Sequence, residues 1–367
     1  MPNTTFHWAP QGFGAATNSP KPKKVKPKLA FQSPALHLPP NPFIIGNEKE
    51  ADAWFRYNDF EFLLEQLHYQ GPITMPKRKF KLLKVGTDAE VFLYNKHGAP
   101  VPVCGLVGGT KDEPKPVPEL GEGFAVQEDN VMLEFNVPAS DSAAAFSENI
   151  QKMLDHLRLK MAKQYGLTLA LTSAMKFEPY LLTSPAARTF GCEPDYCVWT
   201  RTPNEINKAS PVLETLRTAA AHLHVSFTID GEIPNNILDI EPVVKALDFF
   251  VGAPGMHSVP TNLQRRDFYG RAGAFRPKPY GVEYRVLGNE WISSVDHIQW
   301  VFNRVEKVMD FLTYYSSGTG YNQIFAKYEK IIDKAINGGN ASSIYEMTSV
   351  ANATISNLDA LKEAGLS

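Results

Sequence analysis

The sequence has little cysteine and no long apolar segment. Its three cysteines, Cys104, Cys192 and Cys197, cannot all pair and are too few for a disulfide scaffold, which favours structural thiols in a reducing cytoplasm over a zinc site. No apolar run is long enough to cross a bilayer, and residues 1–12 lack the basic start and apolar stretch of a secretory signal. We therefore expect a cytoplasmic protein with no membrane partner.

The chain also lacks an excess of positive charge. Its formal net charge is −2 at pH 7, whereas a protein that coats nucleic acid needs a surplus of Lys and Arg. A nucleic-acid partner is therefore disfavoured. Hydrophobic residues make up 43% of the sequence, which is ordinary for a globular protein and predicts a substantial core.

Composition divides the chain into four parts. Residues 1–47 are rich in proline and lysine, which predicts an extended or disordered arm because such a segment buries little apolar surface. A solvated tail is the simpler interpretation of this arm, and docking to another protein or to a nucleic acid is the alternative. We predict an N-terminal helical segment over residues 48–79, the main domain over residues 80–315 and C-terminal helices over residues 316–367.

Apolar periodicity predicts several helices in the main domain and after it. A stripe from Ser142 to Tyr165 ends at Gly166, as expected for an amphipathic helix with a glycine cap. Pro242 is expected to lie in the first turn of another helix. The chain from about residue 294 to 364 predicts three helices that are separated by glycine-containing breaks at 318–320 and 338–339.

Four segments alternate between apolar and polar residues, which predicts strands at 83–94, 127–137, 218–229 and 281–287. Their polar faces are unusually rich in acids and histidine, and the alternation places Glu128, not Asp129, on that face. The residues concerned are Asp88, Glu90, Glu128, Glu134, His222, His224, Glu283 and Arg285.

If these strands share one sheet, the carboxylates converge and repel one another unless protons or cations intervene. A site rich in oxygen ligands suits Mg²⁺ or Mn²⁺ better than zinc. Arg265, Arg266, Arg271 and Arg276 lie within twelve residues just before the last strand, and arginine forks suit phosphate oxygens.

A short glycine segment adds a further candidate. Gly108-Gly109-Thr110-Lys111 is too short for the phosphate loop of nucleotide-binding proteins. It could bring backbone amides and Lys111 to a phosphate or a substrate carboxylate. A plain glycine turn is the alternative.

Five segments stand in an order that resembles the phage-encoded COOH–NH₂ ligase type 2 family, a branch of the glutamine synthetase and glutamate–cysteine ligase superfamily. The resemblance covers roughly residues 80 to 310. The segments are Gly86-Thr87-Asp88-Ala89-Glu90-Val91-Phe92, Gly108-Gly109-Thr110-Lys111, Glu128-Asp129-Asn130-Val131-Met132-Leu133-Glu134-Phe135, Ala220-Ala221-His222-Leu223-His224 and Gly281-Val282-Glu283-Tyr284-Arg285.

The resemblance implies an α+β fold, with a curved, mainly antiparallel glutamine-synthetase-like sheet and helices packed on its outer face. It implies ATP and Mg²⁺, with Mn²⁺ as an alternative, and it places Asp195 in a motif that lines the acceptor site. The metal ligands that it implies are Asp88, Glu90, Glu134, Glu128, His222 and Glu283. The residues that it implies for ATP binding or phosphoryl transfer are Lys111, His222, Arg271, Arg276 and Arg285.

The activity that the resemblance implies is ligation of a carboxylate to an amine, each from a small molecule or a peptide, through an acyl phosphate. A phage protein of this kind would act in the host cytoplasm, with virion association, homo-oligomerisation and docking of a phage protein through the arm left open. The alternative is a phage structural or docking protein that keeps the fold without turnover.

Overall fold

The computed structural model describes residues 77–188, 195–204, 211–259, 261–316 and 320–365. The predictions for the arm, for nearly all of the 48–79 segment and for Cys192 therefore lie outside the described residues. Within them the chain combines helices with an antiparallel sheet, so the predicted α+β class is confirmed.

The sheet is organised around one long strand, β1 (Phe80–Tyr94). In the described residues eleven strands join this sheet, in the order β3-β4-β5-β1-β11-β13-β12-β8-β9, and β2 and β6 pair with the far end of β1. The other strands are β2 (Pro100–Val101), β3 (Lys115–Pro116), β4 (Ala125–Asp129), β5 (Met132–Asn136), β6 (Thr168–Ala170), β8 (Tyr196–Cys197), β9 (Thr202–Pro203), β11 (Ala221–Ile229), β12 (Ala274–Lys278) and β13 (Gly281–Tyr284).

A second, two-stranded sheet is formed by β7 (Ala174–Lys176) and β10 (Leu216–Thr218). It belongs to a small apolar cluster that includes Phe92, Met132 and Met175. Phe92 follows Asp88 and Glu90 on the same face of β1, since side chains two apart point the same way. The small sheet therefore covers the polar face of β1 next to Glu90.

Helices cover the opposite, apolar face of the main sheet. They are α1 (Ala143–Tyr165), α3 (Ile237–Leu247), α4 (Ala253–Ser258), α5 (Val295–Tyr314), α6 (Gly320–Ile336) and α7 (Ala341–Glu363). The short helix α2 (Pro185–Arg188) instead joins the small apolar cluster around Phe92 through Ala187. Helix α5 packs on β1 and against α1, and α3 packs on β12 and β13. The side chains of Val85, Ala89, Val91 and Leu93 of β1 are fully buried in this core.

Most of the helix predictions are confirmed. Helix α1 starts after Ser142, whose side chain accepts a hydrogen bond from the Ala145 amide, and ends at Gly166 with φ of 64°. The three predicted C-terminal helices are α5, α6 and α7. The last two share the core with the sheet through buried side chains such as Phe325 and Met347, so they pack as part of the same body.

The predicted position of Pro242 is wrong. It lies in the middle of α3, which begins at Ile237 because Asn236 caps the helix by accepting a hydrogen bond from the Asp239 amide. A π-helical turn, Asp248–Gly252, follows directly and leads into α4. None of the helices in the described part of the chain combines the length and the apolar character that a membrane crossing needs.

Candidate metal centre

Strand register brings the predicted acidic and histidine side chains together. Glu90 of β1 is directly opposite Glu134 of β5, and Asp88 is opposite His222 of β11. Across the next strand pair, His224 is opposite Glu283. Side chains of directly opposed residues point to the same face, so one surface of five adjacent strands carries these residues and, on β12, Arg276 opposite Glu283.

The first group of carboxylates consists of Glu90, Asp129 and Glu134, each with an oxygen within 4.8 Å of the others. Burial, with the charges of Asp129 and Asp88, raises the pKa of Glu90 to about 8. Burial and the charge of Asp88 also raise the pKa of Glu134 well above its usual range. All three carboxylates therefore ionise together only when a cation offsets their charge.

The second group consists of Asp88, His222 and Glu283, whose ligand atoms also lie within 4.8 Å of one another. One oxygen of Asp88 is 3.1 Å from Nδ1 of His222 and 3.1 Å from Nε2 of His224. Burial, together with the charge of Arg285, lowers the pKa of His222 to about 4, so its imidazole is in the neutral form that binds metals. His224 places its other ring nitrogen 2.6 Å from the Tyr280 hydroxyl.

Positive side chains surround the carboxylate of Glu283, which is 1% exposed. Lys278 Nζ lies 2.7 Å from one of its oxygens, Arg276 lies 3.5 Å from the other, and Arg285 contacts that second oxygen as well. Burial alone would raise the pKa of Glu283, but the charges of Arg285 and Lys278 hold it below its usual range. Glu283 is therefore ionised and pairs with a cluster of positively charged side chains, those of Arg276, Lys278 and Arg285.

Asp195 fixes the orientation of Arg285 within this cluster. Its carboxylate accepts a hydrogen bond of 3.0 Å from Nε of Arg285, while Nη1 of the same guanidinium lies 3.3 Å from Nδ1 of His222. Asn204 donates to the other Asp195 oxygen at 2.8 Å and so holds the carboxylate in place. Asp195 therefore acts on the site through Arg285.

The prediction that Glu128, not Asp129, lies on the site face is wrong. Residues 127–137 form a hairpin, not one strand, because Asn130, with φ of 57°, begins a two-residue turn between β4 and β5. Gln127 is therefore opposite Glu134, and Asp129 shares the face of both. The Glu128 carboxylate points away from the acidic groups.

Glu128 instead anchors the glycine segment. Its carboxylate accepts hydrogen bonds from the amides of Gly105, Val107 and Gly108 at 2.7, 2.9 and 2.8 Å. Gly109 has φ of 81°, and a Cβ there would lie 2.5 Å from the carbonyl oxygen of Val126. These amides are bound to the protein itself, so the segment is a tight, anchored turn of the chain.

Lys111 extends from this turn as an exposed side chain near Asp129. Burial raises the pKa of Asp129, and the charge of Lys111 opposes that rise. The sequence suggested both backbone amides and Lys111 as contacts for an anion. Of these, Lys111 is the one whose charge acts on a carboxylate of the first group, Asp129.

The four arginines before β13 do not all face the acids. Arg265 and Arg266 are buried and donate to backbone carbonyls, including that of Val286, and burial lowers their pKa values to about 10 and about 9. Arg271 is exposed and donates to the Arg266 carbonyl at 3.4 Å. Arg276, by contrast, contacts an acid of the second group, Glu283, at 3.5 Å.

A cleft opens beside the first carboxylate group. Its lining includes Glu90, Asp129, Arg217, Tyr269 and Arg285. Arg217 comes from β10 and donates to the side chain of Asn130 at 3.2 Å. The cleft therefore presents carboxylates and guanidinium groups to the same space.

Several residues of this surface were not assigned to it from the sequence. Lys278 is the last residue of β12 and Tyr280 lies in the turn between β12 and β13, and no strand was predicted over residues 274–280. Asp129 was misplaced, although Asp-Asn is a turn-forming pair that could have indicated the hairpin. Asp195 was expected at the acceptor site, and it contacts Arg285, a residue 90 positions away in sequence.

The donor set fits hard divalent cations. Six carboxylate and imidazole side chains, five of them acids, form two groups with ligand atoms within 4.8 Å. Oxygen-rich sites of this kind suit Mg²⁺ and Mn²⁺, whereas zinc prefers fewer oxygens in a tetrahedral arrangement. No family model matches this chain, and no curated protein matches it either.

Proposed function

We propose that this protein is an ATP- and Mg²⁺-dependent ligase that joins a carboxylate to an amine, with a glutamine-synthetase-like arrangement of its sheet. The observation that carries the proposal is the pair of cation-ligand groups on adjacent antiparallel strands, bordered by Arg276, Lys278 and Arg285. Carboxylates for divalent cations and cationic side chains for phosphate oxygens are what a phosphoryl-transfer site requires.

The two groups have different parts in this proposal. Glu90, Asp129 and Glu134 would hold one divalent cation, and Asp88, His222 and Glu283 would hold another. Bound cations would supply charge neutralisation for the phosphate oxygens of ATP. The raised pKa values of Glu90 and Glu134 support this assignment, because protons occupy these carboxylates when cations do not.

In the proposed reaction the substrate carboxylate attacks the γ-phosphorus of ATP, which releases ADP and gives an acyl phosphate. The amine then attacks the acyl carbon, loses a proton, and phosphate leaves with the electrons of the carbon–oxygen bond. This sequence needs no side-chain nucleophile. Arg276 and Arg285 would neutralise the transferring group, and Asp195 would hold Arg285 in a fixed direction.

Lys111 is proposed to contact an anionic substrate or phosphate group at the entrance of the first cation site, since it is exposed and close to Asp129. Arg271 is also exposed and would reach the phosphates only from the rim of the site. We therefore assign the larger part in phosphoryl transfer to Arg276 and Arg285.

The test is ADP formation by the purified chain with Mg²⁺, ATP and pools of candidate carboxylates and amines. Glu90→Gln and Glu283→Gln should each reduce ADP formation by more than a hundredfold, and Glu122→Gln, on an exposed loop, should not change it. ADP formation that survives both substitutions would contradict the metal assignment.

A binding measurement separates the ligase from a structural phage protein with the same fold. ATP with Mg²⁺ should stabilise the ligase against heat, because a ligand that binds only the folded state raises the melting temperature. Thermal stability that ATP and Mg²⁺ leave unchanged, together with no ADP formation, would favour the structural alternative.

A further inference from the structure

We infer that the side-chain oxygen of Gln127 is a further ligand of the cation that Glu90, Asp129 and Glu134 would hold. Gln127 is on β4, directly opposite Glu134 on β5, so the two side chains lie on the same face of the hairpin. The inference rests on the cation site of the proposed function but not on turnover.

The nitrogen and the oxygen of the Gln127 side-chain amide differ in their hydrogen bonding. The side chain is buried, with 3% of its surface exposed, and it hydrogen-bonds the Glu134 carboxylate. A carboxylate accepts hydrogen bonds, so the amide nitrogen is the end that reaches Glu134. The amide oxygen is fully buried and has no hydrogen-bond partner among the described residues.

A buried acceptor without a partner destabilises a protein, and an apolar side chain of the same size would avoid that loss. The oxygen belongs to the same small amide plane as the nitrogen that binds Glu134, so it lies beside the first carboxylate group. A divalent cation in that group would give the oxygen the partner that the protein itself does not supply.

A neutral oxygen ligand also suits this particular group. Carbonyl oxygens are ordinary ligands of Mg²⁺ and Mn²⁺. Burial raises the pKa of each of these carboxylates, and the charge of Asp129 adds to that rise at Glu90 and at Glu134. An amide oxygen adds a ligand without adding negative charge, and its nitrogen end at the same time holds Glu134 in position.

The experiment measures Mn²⁺ binding to the full chain at pH 8 without ATP, with free Mn²⁺ determined by electron paramagnetic resonance. Glu90→Gln identifies the binding step that belongs to the first group, because that step should be lost. Gln127→Met should weaken the same step about tenfold or more, as expected for loss of a metal ligand or of a residue that orients one.

A matched control is Gln151→Met. Gln151 lies on α1 and also carries a buried amide atom without a hydrogen-bond partner among the described residues. Its substitution should leave both Mn²⁺ binding steps within twofold of the wild-type affinity, because α1 packs on the far side of the molecule from the carboxylates.

Gln127→Glu is the second variant, and it is expected to strengthen Mn²⁺ binding, whereas Gln127→Met is expected to weaken it. An added carboxylate should tighten the first binding step about tenfold at pH 8, since affinity increases with the charge of the ligands. It should also lower the melting temperature of the metal-free protein, because a fourth carboxylate joins the group.

The outcomes are distinguishable. Gln127→Met with an affinity within twofold of wild type overturns the inference and leaves the proposed function intact. If Gln127→Met does not fold, unchanged or weaker binding by Gln127→Glu overturns it. A wild-type protein in which Glu90→Gln removes no Mn²⁺ binding step contradicts the cation site itself, and with it the proposed function.

Discussion

Binding of a divalent cation to the first carboxylate group should depend steeply on pH. The pKa of Glu90 is about 8 in the folded protein without a cation. At pH 6 about one Glu90 side chain in a hundred is then ionised, whereas at pH 8 about half are, which gives about a 50-fold gain in apparent affinity. The raised pKa values of Asp129 and Glu134 make the dependence steeper still.

The same titration should destabilise the cation-free protein as the pH rises. The folded protein holds the Glu90 proton more tightly than the unfolded chain, where the pKa is 4.5, so stability falls between about pH 4.5 and 8. His222 has the opposite effect, since its pKa drops from 6.5 to about 4 on folding, but that gain is complete above about pH 6.5. Between pH 6.5 and 8 the titration of the carboxylates therefore dominates the change in stability. Each proton lowers the free energy of unfolding by up to about 1.4 kcal/mol per pH unit.

Two measurements test this reasoning. Titration calorimetry with Mn²⁺ in buffers of different ionisation enthalpy counts the protons released on binding, and calorimetric melting from pH 6.5 to 8 follows stability. We expect at least one proton released at pH 7, a melting temperature that falls with pH without Mn²⁺, and a smaller fall with saturating Mn²⁺. In Glu90→Gln, which should lose this binding step, the proton release that accompanies it should disappear.

Equal affinities at pH 6 and pH 8, with no proton release, would refute the argument. Such a result would mean that Glu90 and Glu134 are already ionised in the free protein. The mutual repulsion of the first carboxylate group would then be relieved by something other than protons or a divalent cation.

Two further predictions concern carboxylates outside the metal centre. Glu128→Ala should lower the free energy of unfolding by about 3 kcal/mol in urea denaturation, because three amides lose a charged acceptor, and the exposed Glu119→Ala should change it by less than about 0.5. Trp199→Phe removes a 2.6 Å hydrogen bond to buried Asp248, whose pKa burial raises to about 7. The substitution should lower the free energy of unfolding by about 2 kcal/mol at pH 8 and by less at pH 5, where Asp248 is protonated. An equal loss at both pH values would contradict the titration of Asp248.

Local patterns were enough to predict the elements that carry the site. Alternation along β1 and β11 placed Asp88, Glu90 and His222 on one polar face, and the register of the sheet confirms that Asp88 and His222 are opposed. These predictions succeeded because a strand of nine or more residues has only two faces, and the apolar face is fixed by the core.

The errors arose where the chain turns. A two-residue turn at Asn130 reverses the parity of side chains, which exchanged Glu128 and Asp129. Lys278 shares the face of Arg276 on β12, but this segment was not predicted as a strand, so its contact with Glu283 was missed. Arg271 was grouped with Arg276 by sequence spacing, although one is exposed on a loop and the other lies on a strand beside Glu283.

The construction of β1 has a consequence for how the metal centre is lost. Asp88 and Glu90 flank Ala89, which is fully buried, and this stretch pairs with β5 on one side and β11 on the other. A ligand on such a strand cannot swing away while its neighbour remains packed under α5. Release of a bound cation on heating should therefore coincide with collapse of the whole sheet, in a single cooperative step.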